Sequence, residues 1–441
     1  MIMKVIVTLS LLFLCTRGHA QKEDCGTFPS YFQVVRSYPV LEKMYGFQEK
    51  TVAFADNDRT ITVKVYVHVL YKKNAERIAE AKIREQFAIL NNDFAGTNPD
   101  NGSIPSRFSK EAAGNCKISF EIEKINYLQT RKSAFVINYD TVLCKEADPI
   151  KFSSLGGEDG APSNQYLNVW IGNIKRKKDG IIKPLAGYAT PPGGINMYDG
   201  VVLNYRYIGN VPNTSYNKGR TTTHEVGHWL DLLHISGNGE NQCGNDFVDD
   251  TPTQQQQNYY CPSGIKKNCT QDPDGEMYMN YLDYVDDSCM LMFTKGQRKR
   301  MRDCFFDLTK RGSLLSFSSL FEFADSSSMV FDSSAALINS MKKKSDKIIF
   351  TWENVLEKQI VSGEGNYRIC ISQLGTEECI EAGNAKNNMV AIANLKPGAL
   401  YEIIIKSRIN GRDIHQPYPY IFQADKKLPA TQKKPLILQT Q

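Results

Sequence analysis

From Ile61 to Tyr71 apolar and polar residues alternate, with Val63, Val65, Val67 and Val69 on one face and Lys64, Tyr66 and His68 on the other. A period of two predicts a half-buried strand, in which His68 is an ordinary sheet residue. The period lengthens over residues 76–94, where Ile83, Phe87, Leu90 and Phe94 recur at helical spacing. A turn-rich loop over 98–106 follows, then an alternating strand over 117–125. Residues 166–174 form a more apolar strand with Trp170 in the core, and short strands fall within 185–192, stopped by prolines, and 199–203. Strand, helix and further strands in that order predict an α/β (α+β) domain. A helix over 294–309 brings Gln297, Met301, Phe305 and Leu308 roughly into phase. Beyond a Ser/Lys-rich stretch that reads as a linker, short strands over 347–352, 367–372, 378–381 and 401–406 have the spacing of a small β-sandwich, and Cys370 and Cys379 are placed to bridge neighbouring strands.

The 441 residues carry a formal charge of +5 with both signs interspersed and no arginine-rich block, which argues against nucleic acid as a partner. Lys4, the apolar run from Val5 to Cys15 and Gly18-His19-Ala20 have the layout of a secretory signal peptide, 1–20. The run is too short to span a membrane, and Leu14 before Cys15 disfavours lipid attachment. The mature protein is thus expected outside the cell or at its surface, where its remaining ten cysteines mostly pair.

Three of the six histidines fall in Thr221-Thr222-Thr223-His224-Glu225-Val226-Gly227-His228-Trp229-Leu230-Asp231-Leu232-Leu233-His234. On a helix capped by one of the threonines, His224 and His228 stand one above the other and can share a zinc ion. Glu225 lies beside them as general base, and a turn after about Leu230 is needed to bring His234 back as third ligand. A buried helix with two satisfied core histidines would also place His224 and His228 this way, but it has no use for His234. A zinc peptidase whose third ligand is a downstream Glu is disfavoured for the same reason. Cys25, next to Gly26, reads either as a disulfide partner or as a thiolate capping the metal of a latent enzyme. The acidic cluster around Asp246, Asp249 and Asp250 reads as a solvated loop or a calcium site without EF-hand spacing.

The stretch from His224 to His234, together with Asn280-Tyr281-Leu282-Asp283-Tyr284 and Cys289-Met290, resembles the pappalysin family of metzincin metallopeptidases. The likeness covers roughly residues 60–312 and includes Tyr166 to Trp170, Gly187-Tyr188-Ala189, Asp199 to Val202, Asp246 to Pro252 and Phe293 to Gln297. It implies a two-lobed catalytic domain with a mixed sheet and an active-site helix. His224, His228 and His234 would hold Zn2+, Glu225 would be the base, and Tyr284 would steady the oxyanion. Gly187, Tyr188 and Ala189 would form the rim that binds extended substrate, and Cys25 would be the zinc ligand of the latent form. It further implies structural Ca2+ around Asp246, Val248 and Thr251, and disulfides Cys243–Cys269 and Cys261–Cys289; Cys116–Cys144 is a further pairing suggested here.

Two positions depart from the family pattern. Asp231 stands where Gly is usual, and Asp tolerates positive φ better than most residues. Leu282 stands at the Met-turn position, with a volume close to methionine's. The domain plan is a signal peptide (1–20), a propeptide with a cysteine switch (21–59), a peptidase domain (60–320), a linker (321–345), a module resembling fibronectin type III with Trp352 in its core and Tyr401 as its corner (346–425), and a polar tail (426–441). The expected function is a secreted zinc endopeptidase, a monomer made as a zymogen and cut near Arg59. Protein or peptide substrates are expected, and the resemblance implies a preference for Arg after the scissile bond, which the acidic Asp286 and Asp287 suit. The alternative is a non-enzymatic adhesin on a peptidase scaffold, which the intact Glu225 disfavours.

Overall fold

The computed structural model describes residues 25, 27, 58–138, 148–163, 165–192, 199–237, 243–269, 273–306, 311 and 314, and C-terminal segments 336–344, 347–354, 366–373, 380–385, 389–396, 399–409, 412–415, 420–423 and 436–439. The expected signal peptide, Cys144, Cys379 and Leu308 lie outside these residues.

Strand β1 (Ile61–Tyr71) and helix α1 (Glu80–Ala95) form where the two periodicities place them, and β2 (Ile118–Gln129) follows. Then come β3 (Phe135–Asn138), β4 (Leu167–Gly172), β5 (Ile174–Lys178), β6 (Ile181–Pro184), β7 (Gly187–Ala189) and β8 (Val201–Asn204). Five of these make one sheet in the order β2-β1-β4-β8-β7, parallel except for the antiparallel edge strand β7. The valines of β1, with Ile83, Phe87, Leu90 and Phe94 of α1, are buried in a core that continues to Trp229, Leu282 and Phe305. A parallel sheet covered on both faces buries both sides of its strands. His68 is accordingly buried rather than half-exposed; it pairs with Asn168 (3.0 Å) and Glu158 (3.3 Å) and stacks on Trp170. The separate sheet β3-β5-β6 has no clear signal in the sequence, because its strands are short and β5 is a run of cations.

Helix α2 (Arg220–Trp229) packs against β7 and β8, followed by the short strands β9 (Tyr259–Tyr260) and β10 (Tyr284–Val285) and by helix α3 (Lys295–Phe306). Disulfides Cys243–Cys269 and Cys261–Cys289 tie the intervening loops together. Cys116 is a buried free thiol, so the suggested bridge to Cys144 is not made. Burial pushes its pKa up to about 12, which leaves it inert as a nucleophile.

The C-terminal strands are β11 (Ala336–Lys344), β12 (Lys347–Asn354), β13 (Asn366–Gln373), β14 (Ile380–Ala385), β15 (Met389–Ala393), β16 (Leu400–Ile409), β17 (Arg412–His415), β18 (Tyr420–Gln423) and β19 (Leu436–Gln439). They form one sheet ordered β11-β12-β15-β19 and a second ordered β14-β13-β16-β17, with β18 also on β16. The end of the expected linker is therefore strand β11, and the expected polar tail contains β19: short apolar runs flanked by lysines find partners in β12 and β15. Cys370 is disulfide-bonded. The Tyr401 hydroxyl accepts a hydrogen bond from the Lys396 backbone N–H (2.9 Å), the arrangement of a tyrosine corner.

Candidate active site

Every residue of α2 is buried. Its N-cap is Gly219 at φ 66°, not one of the threonines, which already lie in the first turn. The capping acceptor comes from far along the chain: Asp287 Oδ2 receives the backbone N–H of Lys218 (3.2 Å) and Arg220 (2.9 Å). Arg220 pairs with Asp93 (2.8 Å) and Asp100 (2.9 Å) and donates to the Tyr281 hydroxyl (2.6 Å), and Thr223 Oγ1 donates to Asp93 (2.6 Å). These contacts fix the rotation of α2 about its axis, and with it the direction of His224 and His228.

The helix ends at Trp229, and Asp231 takes φ 75°. Its backbone carbonyl accepts from Arg300 Nε (2.7 Å), and its carboxylate pairs with Arg300 Nη2 (3.2 Å). That turn returns the chain so that three Nε2 atoms converge: His224 to His228 3.1 Å, His228 to His234 3.1 Å and His224 to His234 3.3 Å. His224 Nδ1 lies 2.7 Å from the Tyr281 carbonyl, and His228 Nδ1 2.7 Å from the Leu232 carbonyl. A carbonyl only accepts, so Nδ1 carries the proton and Nε2 presents its lone pair. Burial holds His228 down to about 4, and His234 well below its usual value, so both rings are neutral.

Three lone pairs at this spacing repel unless a cation lies among them. A tetrahedral ion with bonds of about 2.0–2.1 Å to nitrogen separates its ligands by about 3.3 Å, which this tripod matches. Cys25 Sγ completes the cluster; all four donor atoms lie within 4.8 Å of one another, all in buried residues. Leu282 is fully buried and packs on Gly227, where an added Cβ would come within 3.1 Å of Leu282 Cδ2. The turn carrying Leu282 is held by a reciprocal pair, Asn280 to Gln297 (2.8 and 3.1 Å), and by Leu282 N–H donating to Asn280 Oδ1 (2.9 Å). The Tyr284 ring centroid is 4.8 Å from that of His234 and 5.7 Å from that of His224. Its backbone N–H is fixed by Asp283, which also accepts from Asn258 and Gln254.

Glu225 stands directly against β7. A Cβ on Gly187 would be 2.9 Å from Glu225 Cγ and 3.1 Å from its Oε1, so only glycine allows this approach. Burial pushes Glu225 up to about 8, against hydrogen bonds from Thr27 and Cys25. Tyr188 turns away from this face, and its hydroxyl donates to Asp148 (2.5 Å), which is paired with buried Lys151. What Gly187, Tyr188 and Ala189 present to the cleft is therefore backbone. Cys25 bridges to Gly187 in parallel sense. Thr27, which no sequence signal singles out, donates from Oγ1 to Glu225 Oε2 (2.8 Å) and accepts from the Ala189 N–H (2.8 Å).

The acidic loop between residues 243 and 254 holds a second cluster of oxygens. There Asp246 Oδ1 accepts from the Val248 N–H (3.1 Å) and Thr251 Oγ1 (2.5 Å), and the Val248 carbonyl also faces Thr251 Oγ1 (2.7 Å). Asp246 Oδ2 is buried without a hydrogen-bond partner, and burial pushes this carboxyl up to about 7. Asp250 is engaged elsewhere, accepting from Thr294 Oγ1 (2.6 Å) and the Gly296 N–H (2.7 Å) at the start of α3.

The chain is similar to known metallopeptidases. The peptidase M43 family model, described as pregnancy-associated plasma protein-A, matches residues 158–305. An extracellular metalloprotease of Arthroderma gypseum is 28% identical over 309 residues, covering 68% of this chain and 89% of that protein. One from Colletotrichum graminicola is 30% identical over 255 residues, covering 56% and 76%. Mature mirolysin of Tannerella forsythia in complex with a cleaved peptide is 39% identical with a TM-score of 0.52, over 58% of this chain and 95% of that one. A mutant of Tannerella forsythia promirolysin is 36% identical with a TM-score of 0.57, over 66% and 96%.

Proposed function

The chain belongs to the pappalysin family of metzincin zinc metallopeptidases, and from that premise we propose that it is a secreted endopeptidase made as a latent precursor, with His224, His228 and His234 as its metal ligands. The observation that carries the reading is the convergence of three imidazole Nε2 atoms beside the buried side chain of Glu225. Bound there, zinc supplies Lewis acidity that polarises a scissile carbonyl and lowers the pKa of water to about 7. Glu225 takes the proton from the attacking water and delivers it to the leaving amine. The Tyr284 hydroxyl donates to the developing oxyanion. The backbone of β7, an edge strand, pairs with an extended substrate.

Export is supported by the residues before Gln21 and by relatives named as extracellular enzymes. Activation by a cut near Arg59 is supported by the exposure of Asp58, Arg59 and Thr60. Calcium at Asp246, Val248 and Thr251 is supported by the partnerless Asp246 oxygen. For a preference for Arg after the scissile bond, the acidic partner narrows to Asp286, because Asp287 is fully buried as the cap of α2. A C-terminal module of fibronectin type III kind is supported by the contact of the Tyr401 hydroxyl with the Lys396 N–H.

Processed protein should cleave a denatured protein substrate and lose that activity to a zinc chelator. Glu225→Ala should lower turnover roughly 10²- to 10⁴-fold while one zinc per chain is retained. A Glu225→Ala protein as active as the wild type would overturn the proposal.

A further inference from the structure

We infer that Glu225 and the Ala189 amide together form a hydroxyl-binding subsite, and that Thr27 fills it as a second latch independent of the metal. This rests on the reading of Glu225 as the catalytic base. The Thr27 hydroxyl has one proton, which it gives to Glu225 Oε2 (2.8 Å), and its oxygen accepts the Ala189 N–H (2.8 Å). One side chain thereby engages the base and a backbone donor of the rim strand. Thr27 is fully buried, so water does not compete for either bond. Its own backbone N–H donates to Cys25 Sγ (3.4 Å), which couples the hydroxyl to the thiol two residues away. The ligand that fits is thus a peptide offering a thiol to the three imidazoles and, two residues on, a hydroxyl to Glu225 and Ala189. A thiol alone offers Glu225 only the longer contact from Cys25 Sγ (3.5 Å) and leaves the Ala189 amide without the Thr27 oxygen.

The test compares uncleaved precursors carrying Thr27→Val, Thr27→Ser, Cys25→Ala or no change, with activity measured on a small peptide substrate. A hydrogen bond to a buried carboxylate is worth enough that Thr27→Val should raise precursor activity roughly 10- to 100-fold, with Thr27→Ser near wild type. Hydrogen exchange at the Ala189 amide should quicken in Thr27→Val and stay slow in Thr27→Ser, a readout that does not depend on activity. After removal of the N-terminal segment all variants become the same polypeptide, so a difference that persists then is a folding defect and counts against the latch. In trans, a synthetic peptide spanning residues 24–29 should inhibit the processed enzyme, and its Thr→Val version should inhibit about as much less as the precursor variant is activated. A Thr27→Val precursor that is as latent as wild type, with the Ala189 amide equally protected, overturns the inference. Failure of the processed wild-type enzyme to cleave at all would instead overturn the peptidase reading.

Discussion

Replacing Asp231 by Gly would install the residue whose backbone best suits φ 75°, yet the structure predicts a less stable protein. Relief of the left-handed conformation should gain about 1 kcal/mol. Against this, the carboxylate paired with Arg300 at 3.2 Å is lost, and both side chains are more than nine-tenths buried. Removing one partner of a buried pair costs about 3–5 kcal/mol. The lower end applies here, because Arg300 Nε keeps the residue 231 carbonyl at 2.7 Å. Glycine adds roughly 0.5–1 kcal/mol of unfolded-state entropy. The net loss is about 3 kcal/mol, or a fall in Tm of about 6–12 °C for a domain of this size. Calorimetry of the processed, zinc-loaded protein measures it directly. Adding Arg300→Met to Asp231→Gly should recover part of the loss by removing the buried charge that the carboxylate had faced. A single Asp231→Gly protein as stable as wild type, or more so, would refute this reasoning.

Leu282→Ala should cost about 2–5 kcal/mol and weaken zinc retention, while Leu282→Met should stay within about 1.5 kcal/mol, as followed by Tm and bound metal. Tyr284→Phe should lower kcat roughly 10²-fold with little change in KM, as steady-state kinetics will report. For Asp246, burial raises the carboxyl from 3.8 to about 7, so the ion-free fold favours the protonated form and loses stability as pH rises from about 4 to about 7. The loss is at most about 4 kcal/mol. A calcium titration should therefore raise Tm more at pH 8 than at pH 5, and Asp246→Asn should abolish that difference.

The residues proposed to carry the chemistry are legible because their placement follows from short-range spacing. His224 and His228 meet by helical periodicity, Glu225 lies beside them by sequence, and the β1 valines declare a sheet by alternation. Asp231 is recognisable as a residue able to take a positive φ, but nothing local announces Arg300 as its partner. The cap of α2 is hidden for the same reason: three threonines satisfy the local rule, yet Asp287 supplies the acceptor from more than sixty positions away. His68 looks half-exposed in the sequence because alternation reports one face of a strand and is silent on what covers the other. Thr27 carries no motif, and its contacts with Glu225 and Ala189 join positions 198 and 162 residues apart. Local pattern thus determined the main elements around the site and which side chains can bind a metal, while β3, β5, β6, β11 and β19 formed without a clear local signal. Only the packing of distant segments decided how those side chains are held, because hydrogen bonds and buried ion pairs depend on proximity in space, which spacing along the chain does not encode.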